Sequence, residues 1–258
     1  MKRNILPSLA LILCAAGTLP AASIGPDAFG YVAQDFRARF QDISATGTQI
    51  LTFSDDDALD IPIGFGFNFY GTSYTTACAS SNGVVSFGGC EPSNAPVDVA
   101  TTPTFNDLPT AAVLWNDWQF YDPGDGSVFY QTSGLPGAQS LVIQWNLARG
   151  WPSSPLPVTF EAVLFEGSNK LQFIYLSTDS GDSRAFGASA SVGIRDTGGD
   201  GNGRALSWSA TQAVIGSGTG IEFSANPVET PEPASATLFT SGLLLTGAGL
   251  FLRRRKEG

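Results

Sequence analysis

Any chemistry in this chain has to be built from carboxylates. Histidine is absent, which removes the commonest general base and the commonest zinc ligand, so serine triads and imidazole-based metal sites are excluded. Two acids stand where a carboxylate-based hydrolase could use them: Asp117, set between Trp115 and Trp118, and Glu161, in the middle of the strand-like "VTFEAV". Paired carboxyl groups in a tryptophan-lined cleft are how glycosidases cleave sugars. Strand-borne acids more often face solvent or accept from backbone amides, so a hydrolase ranks last of the readings carried forward.

Metal binding ranks above catalysis. "DTGGDGNG" places Asp196, Asp200 and Asn202 on a glycine-rich loop, and hard oxygen ligands on such a loop suit calcium. "SDDDALD" offers a second cluster in Asp55, Asp56, Asp57 and Asp60. Neither has the EF-hand spacing with its distant bidentate glutamate. An ordinary solvated turn is the default for each loop, and calcium on Asp196, Asp200 and Asn202 is the metal reading set beside it.

The surface around these loops is acidic. The formal net charge is −10, but six basic residues crowd the two ends, and between Ile24 and Thr230 only 7 basic residues face 21 acidic ones. Such a body repels nucleic acid and anionic headgroups. Charged residues are scarce and glycine is abundant, a balance that suits an all-β extracellular domain.

The elements that must position these residues are strands. "IPIGFGFNFYG" sets Ile63, Phe65, Phe67 and Phe69 on one face, and "SLVIQWNLARG" does the same with Leu141, Ile143, Trp145 and Leu147. "VTFEAVLFEGSNKLQFIYLS" reads as a hairpin turning at Gly167-Ser168-Asn169. Ten or more short strands with evenly spaced turns, and no amphipathic helix among them, predict one all-β sandwich or jelly roll over 24–226. Trp115, Trp118, Trp145 and Trp208 fall in strand-like segments, where they pack a core or, if exposed, stack on sugars.

Cys78 and Cys90 flank the tight-turn signal Asn82-Gly83. A two-residue turn would set position 78 opposite 87, leaving Cys90 out of register unless the chain turns again at Gly88-Gly89. In an oxidising compartment an even cysteine pair predicts a disulfide, with free structural thiols as the alternative.

Both ends read as addresses. Lys2 and Arg3, an apolar run from Ile5 to Ala16, and small residues before Ser23 predict a secretory signal peptide over 1–23. After a linker over 227–233, residues 234–252 carry no charge and would span about 28 Å as a helix. Arg253, Arg254, Arg255 and Lys256 follow, so the sequence predicts a transmembrane helix with a basic cytoplasmic tail over 253–258.

Pro231, Glu232 and Pro233, the apolar span and the arginines Arg253, Arg254 and Arg255 together resemble the PEP-CTERM sorting signal of Gram-negative bacteria. That resemblance implies export across the inner membrane and a transient membrane anchor. It also implies an exosortase-type processing enzyme as partner, and release to the cell surface or extracellular matrix. A second resemblance covers about Asp55 to Asp196. "YGTSYTTACASSNGVVSFGG", "LPTAAVLWNDWQ", "SLVIQWN", "VTFEAVLFEGSNKLQFIY" and "ASVGIRDTG" occur in the order found in nidogen-like extracellular domains. It implies a β-rich matrix or adhesion module and carries no catalytic residues. The expectation is therefore a non-enzymatic surface or matrix protein. The alternative is a module that binds extracellular polysaccharide.

Overall fold

The computed structural model describes residues 22–100, 107–152, 154–210 and 212–225. Numbered in chain order, nine strands form the larger sheet. Its path is β1 (Ser23–Ile24), β2 (Tyr31–Arg37), β15 (Thr219–Ala225), β12 (Leu171–Ser177), β11 (Val158–Phe165), β10 (Ser140–Gly150), β9 (Ser127–Ser133) and β3 (Thr48–Ile50), and β8 (Trp118–Gln119) pairs with the far end of β10. Six strands form the other sheet, in the order β14 (Ala205–Ala210), β13 (Ser191–Arg195), β7 (Thr110–Trp115), β6 (Val84–Ser86), β5 (Thr72–Ser80) and β4 (Ala58–Phe69). Each pairing in both sheets is antiparallel.

The sheets meet through the residues that the alternation puts on one face. Ile63, Phe65, Phe67 and Phe69 of β4 are all buried, and the Phe67 ring lies 6.4 Å from Phe69 and 5.8 Å from Phe87. From the facing sheet come Leu141, Ile143 and Trp145, with Trp145 stacked on Phe160 at 5.0 Å. Apolar burial on this scale is the main force holding the layers together. Leu147 breaks the expected pattern. Its φ is 54°, the ladder to β11 slips between Trp145 and Ala148, and Ala148 takes the inward place while Leu147 stays 37% exposed. A bulge adds one residue and inverts the faces beyond it.

Loops cover both outer faces. Ile43 packs on Phe129, Val142, Val163 and Ile174 of the larger sheet, helped by Phe36 and Phe40. Val97 and Val99 pack on Val84, Ala112 and Trp115 of the smaller one. Strands such as β11 are thus buried on both sides and read as continuous apolar runs.

The turn between β5 and β6 also differs from expectation. Cys78 pairs with Ser86 and Ala79 with Val85, so the loop is Ser81-Asn82-Gly83, three residues rather than two. Gly83 has φ 75°, and a Cβ there would lie 2.5 Å from the Leu114 carbonyl oxygen. Only glycine fits.

The transmembrane part of the expectation is corrected. The fold is an all-β sandwich, and its helical segments among the described residues are two four-residue 3-10 turns, Ser183–Phe186 and Gly199–Asn202. No helix among the described residues is long and apolar enough to cross a membrane. The segment 234–252, the signal peptide, Pro231-Glu232-Pro233 and Arg253–Arg255 lie outside the described residues. The membrane anchor therefore has no support among the described residues and is not carried further.

Candidate functional site

One end of the sandwich gathers acids from distant parts of the chain. The connection between β3 and β4 carries Asp55, which forms an isolated antiparallel bridge with Gln119 of β8. Asp117 precedes β8, held by the Trp151 N–H donating to its carbonyl (3.0 Å) and by its own N–H donating to Asn116 Oδ1 (2.8 Å). Asp55, Asp56 and Asp117 bring one carboxylate oxygen each to within 4.8 Å of one another. Asn82, buried in the β5–β6 turn, ties the corner together. Its Nδ2 donates to Asp56 Oδ1 and to the Pro92 carbonyl, both at 2.9 Å, and its Oδ1 accepts from the Trp118 N–H at 2.9 Å. Asn94 Nδ2 donates to the other Asp56 oxygen at 2.7 Å.

Two buried oxygens in this corner accept no hydrogen bond from the described residues: Asp55 Oδ1 and Gln119 Oε1. Burial raises the Asp55 carboxyl above its ordinary range, and Asp56 and Asp57 add to the effect. Asp117 is pushed up to about 6 by burial first and then by Asp55 and Asp56, with Arg184 opposing. Carboxylates crowded in a partly dry corner resist ionising together.

The Asp196 loop is a different object. Asp196 pairs with Arg204 at 2.8 Å. Arg204 also donates to the Tyr70 carbonyl (2.9 Å) and lies over the Phe29 ring at 4.9 Å. Asn202 spends its side chain on the loop itself, donating to the Thr197 carbonyl (2.8 Å) and accepting from the Arg204 N–H (3.0 Å). Asp200 is exposed, and its N–H donates to the Ala100 carbonyl. Asp196 and Asn202, two of the three residues expected to hold calcium, are already engaged by protein groups.

The hydrolase pair is not assembled. Glu161 sits in mid-sheet on β11, fully buried beneath residues 38–43, where both its oxygens accept from the Gln41 N–H at 3.1 and 3.3 Å. Burial pushes it up to about 8, with Asp42 adding to the shift. Asp117 feels Asp55, Asp56 and Arg184 instead, so the two acids occupy separate neighbourhoods. Trp115, Trp118 and Trp145 are buried, and each indole N–H donates to a backbone carbonyl, of Ser93, Leu114 and Ser80 respectively, at 2.7 Å. Trp208 packs against the core. The polysaccharide-binding alternative needed exposed members of this set, and with the three strand tryptophans buried it is not retained.

Cys78 and Cys90 form a disulfide with their Cα atoms 5.2 Å apart. The chain turns back at Gly88 (φ 79°) to bring Cys90 over β5, the extra turn that the sequence required. Asp60 lies beside the two sulfurs, but bridged sulfurs are not thiolates and hold no metal there.

Two residues central to the acidic corner, Gln119 and Asn82, escaped the sequence reading, which took Asn82 only as a turn former. Gln119 carries no local pattern, because its partner Asp55 is remote in sequence.

A family model described as NIDO related matches residues 30–240. No curated protein matches the chain, and no solved structure does. Nothing in these comparisons or in the described fold supports an exosortase partner, an inner-membrane location or a bound polysaccharide, and these expectations are withdrawn. The match takes in the described sandwich from β2 to β15, and the chain belongs to the NIDO-related family.

Proposed function

We propose that this protein is a non-enzymatic extracellular module of a cell surface or matrix, with structural or adhesive work as its task. The family match carries the reading, since nidogen-like domains are typically non-enzymatic. The Cys78–Cys90 disulfide suits an oxidising compartment, and the candidate acids Asp117 and Glu161 stand in separate neighbourhoods. The resemblance of Pro231-Glu232-Pro233 and Arg253–Arg255 to a PEP-CTERM signal supports delivery by sorting. In that reading the signal peptide ends near Ser23.

The test is made on the protein from its native cells. Alkylation without reduction, followed by intact-mass measurement of surface and culture fractions, should find no free thiol at Cys78 or Cys90. The exported form should also lack Lys2 and Arg3, cut away with the signal peptide. Recovery of the chain in the cytosol with both thiols alkylated would overturn the extracellular reading. Retention of Lys2 and Arg3 in the exported form would overturn the signal-peptide reading.

A further inference from the structure

We infer that Asp55, Asp56 and Asp117, completed by the carboxamide oxygen of Gln119, form a binding site for one calcium ion. This site is distinct from the Asp196 loop and independent of the proposed surface role. An acidic cluster alone would not carry the assignment, because exposed acids gather on many surfaces without an ion. What carries it is the pair of buried oxygens that accept nothing. Gln119 is 2% exposed and its Oε1 is unpartnered, while its Nε2 is committed to the Pro152 carbonyl at 3.3 Å. Asp55 Oδ1 is likewise buried and unpartnered. The antiparallel bridge sets Asp55 and Gln119 directly opposite each other, so their side chains leave the same face of the pairing. The pairing thus carries the Gln119 amide on the same side as the Asp55 carboxylate, one oxygen of which lies within 4.8 Å of Asp56 and Asp117. Buried acceptors of this kind ordinarily find a donor. A cation satisfies both at once.

The chemistry of the set selects the ion. Every ligand is a hard oxygen, the chain has no histidine, and its body cysteines are joined to each other, which disfavours zinc and copper. Three carboxylates and one carboxamide supply four protein oxygens. Waters or second carboxylate oxygens bring the count to the six to eight that calcium accepts. Asp56 is held in place by Asn82 and Asn94, one donor on each oxygen, and each oxygen keeps a lone pair for the ion. Arg184 does not take the ion's place, because its guanidinium is spent on Asp182 and on the Trp151 carbonyl. A groove of about 260 Å³ lined by Asp56, Glu91, Pro92, Ser93 and Asn94 opens beside the cluster and gives the ion and its waters a way in. A bound ion would clamp the β3–β4 connection to β8 and, through Asn82, to the β5–β6 turn.

The test is a calorimetric titration of the full chain, stripped with chelator, with calcium chloride and separately with magnesium chloride. One calcium site is expected at about 10⁻⁴ to 10⁻³ M, the range of extracellular calcium modules, with magnesium at least about tenfold weaker because it demands a tighter octahedron. Asp117→Asn and Gln119→Leu should each weaken calcium by about tenfold or more, and Asp200→Asn should leave it unchanged. Terbium luminescence excited through tryptophan reads occupancy of the wild-type chain directly, and calcium should quench it by displacement whether or not a variant folds. No calcium heat together with no terbium signal would overturn the site. Binding abolished by Asp200→Asn and untouched by Asp117→Asn would overturn it equally, by moving the ion to the other loop.

Discussion

Two acidic loops of this molecule look alike in sequence and differ in what surrounds them. In the loop after β13, Asp196 meets Arg204 at 2.8 Å and Asn202 is used by the loop backbone. In the corner before β4, three carboxylates converge and two buried oxygens accept nothing. Acid count does not distinguish them, and the supply of donors does. A loop that brings its own guanidinium has already met the cost of gathering charge. A corner without one holds its charge apart only at the expense of raised carboxyl pKa values, as Asp117 shows at about 6. The comparison yields four expectations, taken from the largest effect to the smallest.

The largest concerns the covalent tie beside the corner. The disulfide closes a loop of sequence separation 12, and cross-linking a loop of that size is worth about 3 kcal/mol in the chain-entropy model. A Cys78→Ala, Cys90→Ala double variant should lose about that much in a urea melt. The same loop carries Pro92 and Asn94 to Asn82 and Asp56, so calcium affinity should fall with it while the Asp196 loop is untouched. Equal stability for variant and parent would show that the corner is held without the bridge.

Next comes the cation of the satisfied loop. Arg204→Ala removes the Asp196 ion pair, the bond to the Tyr70 carbonyl and the stacking on Phe29. Partly buried contacts of this kind together contribute about 2 kcal/mol, or roughly 4–8 °C in Tm for a domain of this size. Calcium would then have an unpaired Asp196 to occupy. A variant that recovers its lost stability in millimolar calcium, with magnesium as control, would show that the arginine stands in for an ion. A melt unchanged from wild type would mean that the pair is ornamental and the contrast between the loops is wrong.

Much of this was legible in the sequence. The alternation from Ile63 to Phe69 marks an inward face because burial selects every second residue in a strand, and the hairpin at Gly167 to Asn169 forms where its turn residues stand, both with positive φ. What failed was non-local. Leu147 points outward because the neighbouring strand imposes a bulge there, and nothing in "WNLAR" announces it. The turn at Asn82 gained a residue because Gly83 must approach the Leu114 carbonyl, a contact from another strand. Asp117 stood out as a candidate acid only through its flanking tryptophans, yet Trp115 and Trp118 are core residues. The corner itself joins residues 55 and 119 by a bridge, and no spacing rule reaches that far.

A third carboxylate extends the comparison into the interior. Glu161 is fully buried, accepts from the Gln41 N–H, and is faced by Asp42 from the covering segment and by Gln144 and Ile174 on the adjoining strands. Burial pushes its carboxyl up to about 8 from an ordinary 4.5. Between these values the folded chain keeps a proton that the unfolded chain has lost, so stability falls as pH rises from 4.5 to 8. Glu161→Gln removes this penalty and should be more stable than wild type at pH 8, by a margin that grows as pH rises from 4.5. It should match wild type at pH 4.5. Parallel stability–pH curves for the two proteins would show that Glu161 is ionised at no cost, and that water reaches it.

The smallest effect is the most discriminating, because the two loops differ there in sign. Asp196→Asn removes the carboxylate that Arg204 holds and should cost stability with or without calcium. Asp117→Asn, measured in chelator at pH 8, removes one of three mutually repelling charges while keeping the backbone bonds to Asn116 and Trp151, which do not use the side chain. It should therefore be neutral or stabilising, by about 0.5 kcal/mol, the scale of a partly screened like-charge contact. In 5 mM calcium the order reverses, since wild type gains the ion's binding energy and the variant loses a ligand. Differential scanning calorimetry of both variants with and without calcium reads all four values. If Asp117→Asn is destabilising in chelator, the corner contains a donor for that carboxylate after all. The two acidic loops would then be the same kind of structure.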